Sequence, residues 1–405
     1  MEAGDTLRKI KEDFQDNPES MGYFYDLYER IYLDSGSLDH ERPLVGVTCV
    51  HAPEELIYAA GAVPVRLCSG SHSYEQAGAE FTSAKTCSLV NATIGSLYIN
   101  GEEYKDKLKA LIVPVTCDQK KKAIGILKDQ GFDVWPLEIP SDKDSEIARH
   151  FWRATVKEFS AKLPKLTGKK LTKDGIKNAI VKLNSARYQF RKLTSFRAAT
   201  PAPILGKDVF MVGNSYFFDD IDRWTAALAK LNAELEERKK SGFAAGNRRA
   251  PRILFAGAPP IFPNLKIPLL IEELGGEIVA DEVCSSYRLL SDAVAFDEAN
   301  YYDLIPAIAD KYLKPCACPI FTSNGDRIRK MIDTIKIANV DGVVYQSFSG
   351  CQLFSLERHS VSDALKKDDI PMLYVESDYA PEDTGQISTR VEAFLESIQA
   401  RKRRK

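Results

Sequence analysis

No stretch of the chain approaches the roughly eighteen consecutive apolar residues of a membrane-spanning helix, and its start, MEAGDTLRKIKEDF, lacks an apolar signal region. Charge of one sign is also missing. The 55 basic and 57 acidic residues leave a formal net charge of -2, so no field gathers nucleic acid or an acidic membrane. The basic tail Arg401 to Lys405 reads as a solvated terminus rather than a targeting or nucleic-acid segment. No GxxxxGK followed by Ser or Thr is found, which removes the P-loop route to ATP. HExxH and GxSxG are absent too, and the histidines number only five, without clustering. The turn FAGAPPIFPN lacks GxGxxG and reads as a plain strand-to-helix loop. These absences describe an ordinary soluble protein, expected in the cytoplasm.

What is present is a chain of 405 residues, 44% hydrophobic, long enough for two or three packed domains without cross-links. Short Val- and Ile-rich runs at 44–47, 62–67, 110–115 and 133–139 alternate with helical stretches. The pattern resumes at 252–257, 277–283, 342–347 and 371–376. Such alternation predicts parallel sheets wrapped by helices, an α/β fold in two units of similar plan. Residues 1–40 read as an N-terminal helical segment whose stripe is Tyr23, Tyr25, Leu27, Tyr28 and Ile31. The expected units are 41–145 and 249–405, with 146–248 as a helical connection. Between the strands at 252–257 and 277–283, NLKIPLLIEELGG predicts a helix closed by Gly275 and Gly276, suited to a left-handed cap.

Eight cysteines occur, none between Cys117 and Cys284. A reducing compartment argues against structural disulfides, leaving core thiols, nucleophiles or metal ligands. LIVPVTCDQKKK and LVGVTCVHAPEE both run a buried strand into a cysteine, Cys117 and Cys49. Cys284 follows EIVADEV, Cys351 follows GVVYQSFSG, and Cys87 opens the helix TCSLVNATIGSLY. In open α/β sheets ligands gather at the carboxyl ends of strands, where helix N-termini present free N–H groups. A lone cysteine is more often a small core hydrophobe, the reading kept for Cys68 inside VPVRLCSG. Five at equivalent positions are harder to assign to chance. Zinc is the next alternative, but no pair of CxxC knuckles exists and Cys316-Ala-Cys318 has a single intervening residue. Iron-sulfur ligation by dispersed cysteines fits better.

VTCVHAPEELIYAAGAVPVRL, the second VTC at 115–117, DGVVYQSFSGC and DTGQISTRVEAFLE at 383–396 together resemble the 2-hydroxyacyl-CoA dehydratase and benzoyl-CoA reductase superfamily, over about residues 40–398. The resemblance implies two Rossmann-like parallel-sheet domains joined by the helical region. It also implies single electrons delivered by a separate ATP-hydrolysing activator that carries its own 4Fe-4S cluster. Dehydratase subunits of that superfamily typically hold one 4Fe-4S cluster on three cysteines, which Cys87, Cys117 and Cys351 match here. Cys49, Cys284 and one of Cys316 and Cys318 would supply three more thiolates. That excess is similar to the double-cubane branch, in which two cubanes share a bridging sulfide as an 8Fe-9S centre. Cys316 is favoured slightly over Cys318, because Pro315 and the preceding helix fix it at a loop entrance.

The expected function is then an iron-sulfur oxidoreductase, a homodimer reducing a small unsaturated substrate anaerobically. His51 is a candidate proton donor and equally an ordinary loop histidine. Glu54 and Glu55, after Pro53, are candidate catalytic carboxylates, although the plainer reading is that they favour a helix N-terminus. Arg390 is expected to bind a carboxylate or carbonyls from a docking helix. Two alternatives stand beside this: a dehydratase subunit with a single 4Fe-4S cluster, and a non-catalytic α/β electron carrier or binding protein.

Overall fold

The computed structural model describes residues 3–34, 42–296 and 301–404. Two four-stranded, wholly parallel sheets form. The first contains β1 (Leu44–Val47), β2 (Val63–Arg66), β3 (Leu108–Val115) and β4 (Val134–Glu138) in the order β2-β1-β3-β4. The second contains β5 (Arg252–Gly257), β6 (Glu277–Asp281), β7 (Gly342–Phe348) and β8 (Met372–Ser377) in the matching order β6-β5-β7-β8. The fold is therefore α/β, with two Rossmann-like domains. In each sheet the chain leaves the first strand for one neighbour and then returns to the other side. The order so reverses between β1 and β3 and between β5 and β7, and a crevice opens there at the carboxyl ends.

The strands form because they can be buried on both faces. All residues of β1, β5, β6 and β7 are buried, as continuous rather than alternating apolar runs require. The region between the sheets is helical, chiefly Glu146–Lys162, Lys173–Arg197, Gly206–Asn214 and Ile221–Lys240. Ser145 and Thr172 cap the first two by accepting the N–H groups of Ala148 and Gly175. Helix Lys173–Arg197 buries Ile176, Ile180, Leu183, Phe190 and Leu193 along one stripe. One apolar core runs from Val45, Val47 and Ile112 through Leu183 and Phe190 to Ile253, Phe255 and Ile278. The helical connection thus fixes how the two sheets face each other.

Tyr25 and Tyr28 of helix Gly22–Tyr32 dock that segment by donating to the Asp208 carboxylate and the Met211 carbonyl. Residues 1–2 and 35–40 of the expected N-terminal segment lie outside the described residues. Helix Lys266–Glu273 ends where anticipated, with Gly275 left-handed at φ 84°. Arg390 donates to the Tyr374 carbonyl from helix Thr384–Arg404, in line with the expected contact to carbonyls.

Three strands, β2, β4 and β6, are shorter than their apolar runs. β6 stops at Asp281, whose carboxylate accepts the Val283 and Tyr287 N–H groups and the Ser286 hydroxyl, folding the chain into a turn that carries Cys284. β2 stops at Arg66, so Cys68 is not inside a strand, contrary to the sequence reading. Its thiol donates to the Thr48 carbonyl, and Gly70 comes so close to Ile261 that a Cβ would sit 1.8 Å from its carbonyl oxygen. The chain has to leave the line of the sheet there.

Candidate functional site

Each cysteine reaches the crevice through local backbone logic. Cys117 and Cys351 are the N-caps of helices Asp118–Asp129 and Gln352–Lys367, directly after β3 and β7, and Cys87 is the N-cap of helix Ser88–Ile99. Their thiols therefore lie among free backbone N–H groups and the positive ends of three helix dipoles. Gly350, at φ 77°, lets the β7 turn press onto the loop before Cys87, where a Cβ would meet the Lys85 carbonyl oxygen at 2.5 Å. Gln119 joins the two units at that point. Its Oε1 accepts the Cys87 N–H at 2.9 Å, and its Nε2 donates to the Gly350 carbonyl at 3.0 Å.

The thiols fall into two groups. In the first, the interaction between Cys87 and Cys351 raises the pKa of Cys87 well above the ordinary thiol value and lowers that of Cys351 to about 7. Burial raises the pKa of Cys117, with a smaller upward push from charge on Cys351. In the second group His51 bridges Cys49 and Cys316, with Nδ1 3.4 Å from one sulfur and Nε2 3.3 Å from the other. Cys316 and Cys318 act on each other, which raises the pKa of Cys316 and lowers that of Cys318. Cys284 is pushed up to about 11 by burial, and charges on Cys49 and Cys318 act on it. Charge on Cys318 also acts on Cys351 across the gap, so the groups are neighbours.

Cations surround the second group. Burial opposes ionisation of Cys49, but Lys120 and His51 outweigh it and bring the thiol down to about 6. Lys120 donates to the Thr48 carbonyl at 2.9 Å; burial works against its charge, and Cys49, Cys68, Cys117 and Cys284 together raise its pKa. Arg66 donates to the Cys284 carbonyl at 3.2 Å. Arg288 donates to the carbonyl of Ala317, between Cys316 and Cys318, at 3.0 Å, and only 8% of its side chain is exposed. A helix N-terminus contributes about 0.3–1 kcal/mol to an adjacent anion. A full cation about 4 Å away contributes about 4 kcal/mol at an effective dielectric near 20. The full charges dominate.

The sequence reading missed Lys120, Arg288, Gln119 and Tyr379. Spacing held a hint for two of them, since Lys120 lies three residues after Cys117 and Arg288 four after Cys284. Glu54 and Glu55 turn away from the thiols. Tyr216 donates to Glu54 at 2.8 Å, while Arg187 and Tyr312 donate to Glu55 at 2.6 and 2.8 Å, all of them buried. Burial raises the Glu54 pKa; it acts on Glu55 too, but there Arg187 and Tyr312 prevail and the pKa falls. His51, in contrast, stays at the thiols and is 1% exposed.

Among the described residues no three His, Cys, Asp or Glu groups gather around a single ion. Zinc would need thiolates about 2.3 Å from one point. A cluster asks for something else, since each thiolate binds a different iron and the donors stand apart. The surrounding polar atoms fit such a group. Thr48 Oγ1, Ser285 Oγ, Tyr379 OH and Arg288 Nε and Nη2 are buried without a hydrogen-bond partner among the described residues. A buried donor left unpaired costs about 1–3 kcal/mol, and sulfide or thiolate sulfur would satisfy these. Six of the thiols, in two triads, could hold a cluster: Cys87, Cys117 and Cys351, and Cys49, Cys284 and one of Cys316 and Cys318. A cavity of about 290 Å³ adjoins the second triad, with His51, Arg288, Lys311, Cys316 and Lys330 in its wall.

Parallel sheets with a shared carboxyl-end crevice, and cysteines meeting there from both units, describe a two-domain α/β protein built around a thiol site. The family model for 2-hydroxyglutaryl-CoA dehydratase, D-component, matches residues 49–398, and the chain belongs to that family. It is 28% identical over 362 residues to the putative dehydratase subunit YjiM of Escherichia coli K12, covering 88% of this chain and 91% of the relative. A benzoyl-CoA reductase subunit of Thauera aromatica is 22% identical over 369 residues, covering 89% and 92%. (R)-2-hydroxyglutaryl-CoA dehydratase subunit beta of Acidaminococcus fermentans is 24% identical over 359 residues, covering 87% and 92%. The superfamily resemblance is thereby borne out. No helix among the described residues is long and apolar enough to cross a membrane.

Proposed function

We propose that this chain is a cytoplasmic iron-sulfur oxidoreductase, a homodimer that carries an 8Fe-9S double cubane and reduces a small unsaturated substrate. The observation that carries this reading is the pair of thiol triads, each drawing on both α/β units. Cys87 and Cys117 are joined by Cys351, and Cys49 is joined by Cys284 and one of Cys316 and Cys318. When bound, the cluster supplies low-potential electrons to the substrate. The chain's own residues hold it, offset its charge through Lys120, Arg66 and Arg288, and keep water from it. His51, between Cys49 and Cys316 and in the cavity wall, is placed to hand a proton to a bound molecule. The cavity, at about 290 Å³, lies at the lower end of small-molecule sites, which suits a compact substrate. Lacking a P-loop, the chain takes its electrons from a separate ATP-hydrolysing activator with its own 4Fe-4S cluster.

A second reading, a dehydratase subunit with one 4Fe-4S cluster on Cys87, Cys117 and Cys351, is favoured by the dehydratase names of several relatives. Iron analysis after anaerobic purification separates the two: about eight atoms per chain for the double cubane, about four for the single cluster. Activator and ATP together should raise the rate of substrate reduction sharply, and a non-hydrolysable analogue should not sustain it. Equal rates with and without activator and ATP would end the coupled-reductase reading.

A further inference from the structure

The two triads are set in different electrostatic surroundings. Around Cys87, Cys117 and Cys351 the positive partners are three helix N-termini and, at Cys117, Lys120. The orphaned donor on this side is neutral. Tyr379, 3% exposed, packs its ring edge-on against Phe348, in the apolar group that includes Cys87, and its hydroxyl has no partner among the described residues. Its backbone N–H donates to Glu75 at 3.2 Å, so the first unit holds it in place. Around Cys49, Cys284, Cys316 and Cys318 stand Lys120, Arg66, Arg288 and His51. Arg288 has two buried nitrogens without hydrogen-bond partners and lies against the Cys316-Ala-Cys318 turn. The nearest carboxylate, Glu282, stands 3.7 Å from Arg288 Nε and also accepts from both terminal nitrogens of Arg327, so its single charge is shared between two guanidiniums and a net positive charge remains.

We propose that the triads form an electrically unequal pair, in which the Cys49, Cys284 and Cys316/Cys318 end, set by Arg288 and facing the cavity, accepts and holds the electron. The Cys87, Cys117 and Cys351 end is where it enters. This rests on the double-cubane reading. Each electron comes from a one-electron donor and adds one negative charge, with no bond made or broken, so fixed cations decide where it settles. The geometry agrees at both ends. Lys85, two residues before Cys87, is exposed, so a donor can come close on that side. The cavity opens beside Cys316 and His51 on the other.

The test is an anaerobic potentiometric titration of the holoprotein followed by electron paramagnetic resonance, with iron content measured on every sample. About four iron atoms per wild-type chain would remove the underlying reading and leave Arg288 out of the question. With about eight, Arg288→Gln should lower the higher-potential couple at least tenfold in equilibrium constant, about 59 mV for one electron. The lower couple should move much less, and Arg288→Lys should restore most of the shift. Should Arg288→Gln lose its iron, Arg66→Met makes the same measurement with a smaller shift of the same couple. Tyr379→Phe should move the lower couple alone. The proposal is overturned if Arg288→Gln moves the lower couple, moves both equally or moves neither, or if the wild type shows one couple only.

Discussion

The two sheets share strand order and direction yet differ at their opposite ends. Where β1 and β2 begin, the register partners are Leu44 and Val63; in the second sheet the same place is taken by Arg252 and Glu277. One is a dry apolar pair. The other is a buried charged pair, 3.6 Å apart, whose guanidinium also donates to the carbonyls of Ala198, Ala199 and Ala338. At the carboxyl ends the sheets converge, both delivering thiols to one crevice. The amino ends answer only to packing, so any arrangement that satisfies burial serves there. The carboxyl ends hold the free N–H groups and the reversal of strand order, and the residues that matter for chemistry gather at them.

The sharing of triads between units provides the strongest way to break this comparison. Cys351→Ala removes the second unit's thiol from the first triad, and iron should fall from about eight to about four atoms per chain if each triad holds its own cubane. Retention of all the iron would mean that the units do not share the site as drawn.

Next comes the contrast between thiols and the neighbouring carboxylates. Arg187 and Glu55 are a buried pair with side chains 1% and 0% exposed, and Arg187→Met leaves the carboxylate with its charge unpaired and the Tyr312 hydroxyl as its remaining donor. A loss of about 3–5 kcal/mol in denaturant unfolding is expected. A loss below about 1 kcal/mol would return Glu55 to the catalytic candidates.

A smaller effect distinguishes the amino ends. Burial raises Glu277 from 4.5 to about 7 despite Arg252 and Lys402. Below pH 4.5 the carboxyl is protonated in both folded and unfolded chains. As pH rises from 4.5 towards 7 the unfolded chain ionises first, so stability falls, by at most about 1.4 kcal/mol per pH unit. Glu277→Gln should remove that slope from stability measured across this window, and an unchanged slope would show that another group causes it. Least affected should be Cys68→Ala. Cys68 stands near the other thiols but donates a hydrogen bond to the Thr48 carbonyl, so iron content should stay close to wild type; a loss as large as that of Cys117→Ala would make it a ligand.

Most of the fold was legible in the sequence because it follows from local periodicity. All eight strands lie within two residues of the Val- and Ile-rich runs, and Cys117 and Cys351 cap helices because each follows a strand and precedes a helical stretch, while Cys87 caps its helix from a turn. Cys68 was misplaced because an apolar run does not reveal where a neighbouring backbone, here at Ile261, forces the chain out of the sheet. His51 lies in the loop after β1 and Glu54 opens the helix three residues later, and nothing local says that one faces the thiols while the other faces Tyr216.

The sequence by itself determined two parallel α/β units and put a cysteine at the end of a strand or the start of a helix in each, since hydrophobic period and turn residues act over a few positions. Only the tertiary structure decided which thiols become neighbours. Cys351 meets Cys87 through the close approach at Gly350 and the bridge from Gln119, and Arg288 reaches the Cys316-Ala-Cys318 turn from another element. Those contacts depend on how one continuous core orients the two sheets, and that orientation is a sum over many distant packing contacts that no short stretch of sequence records.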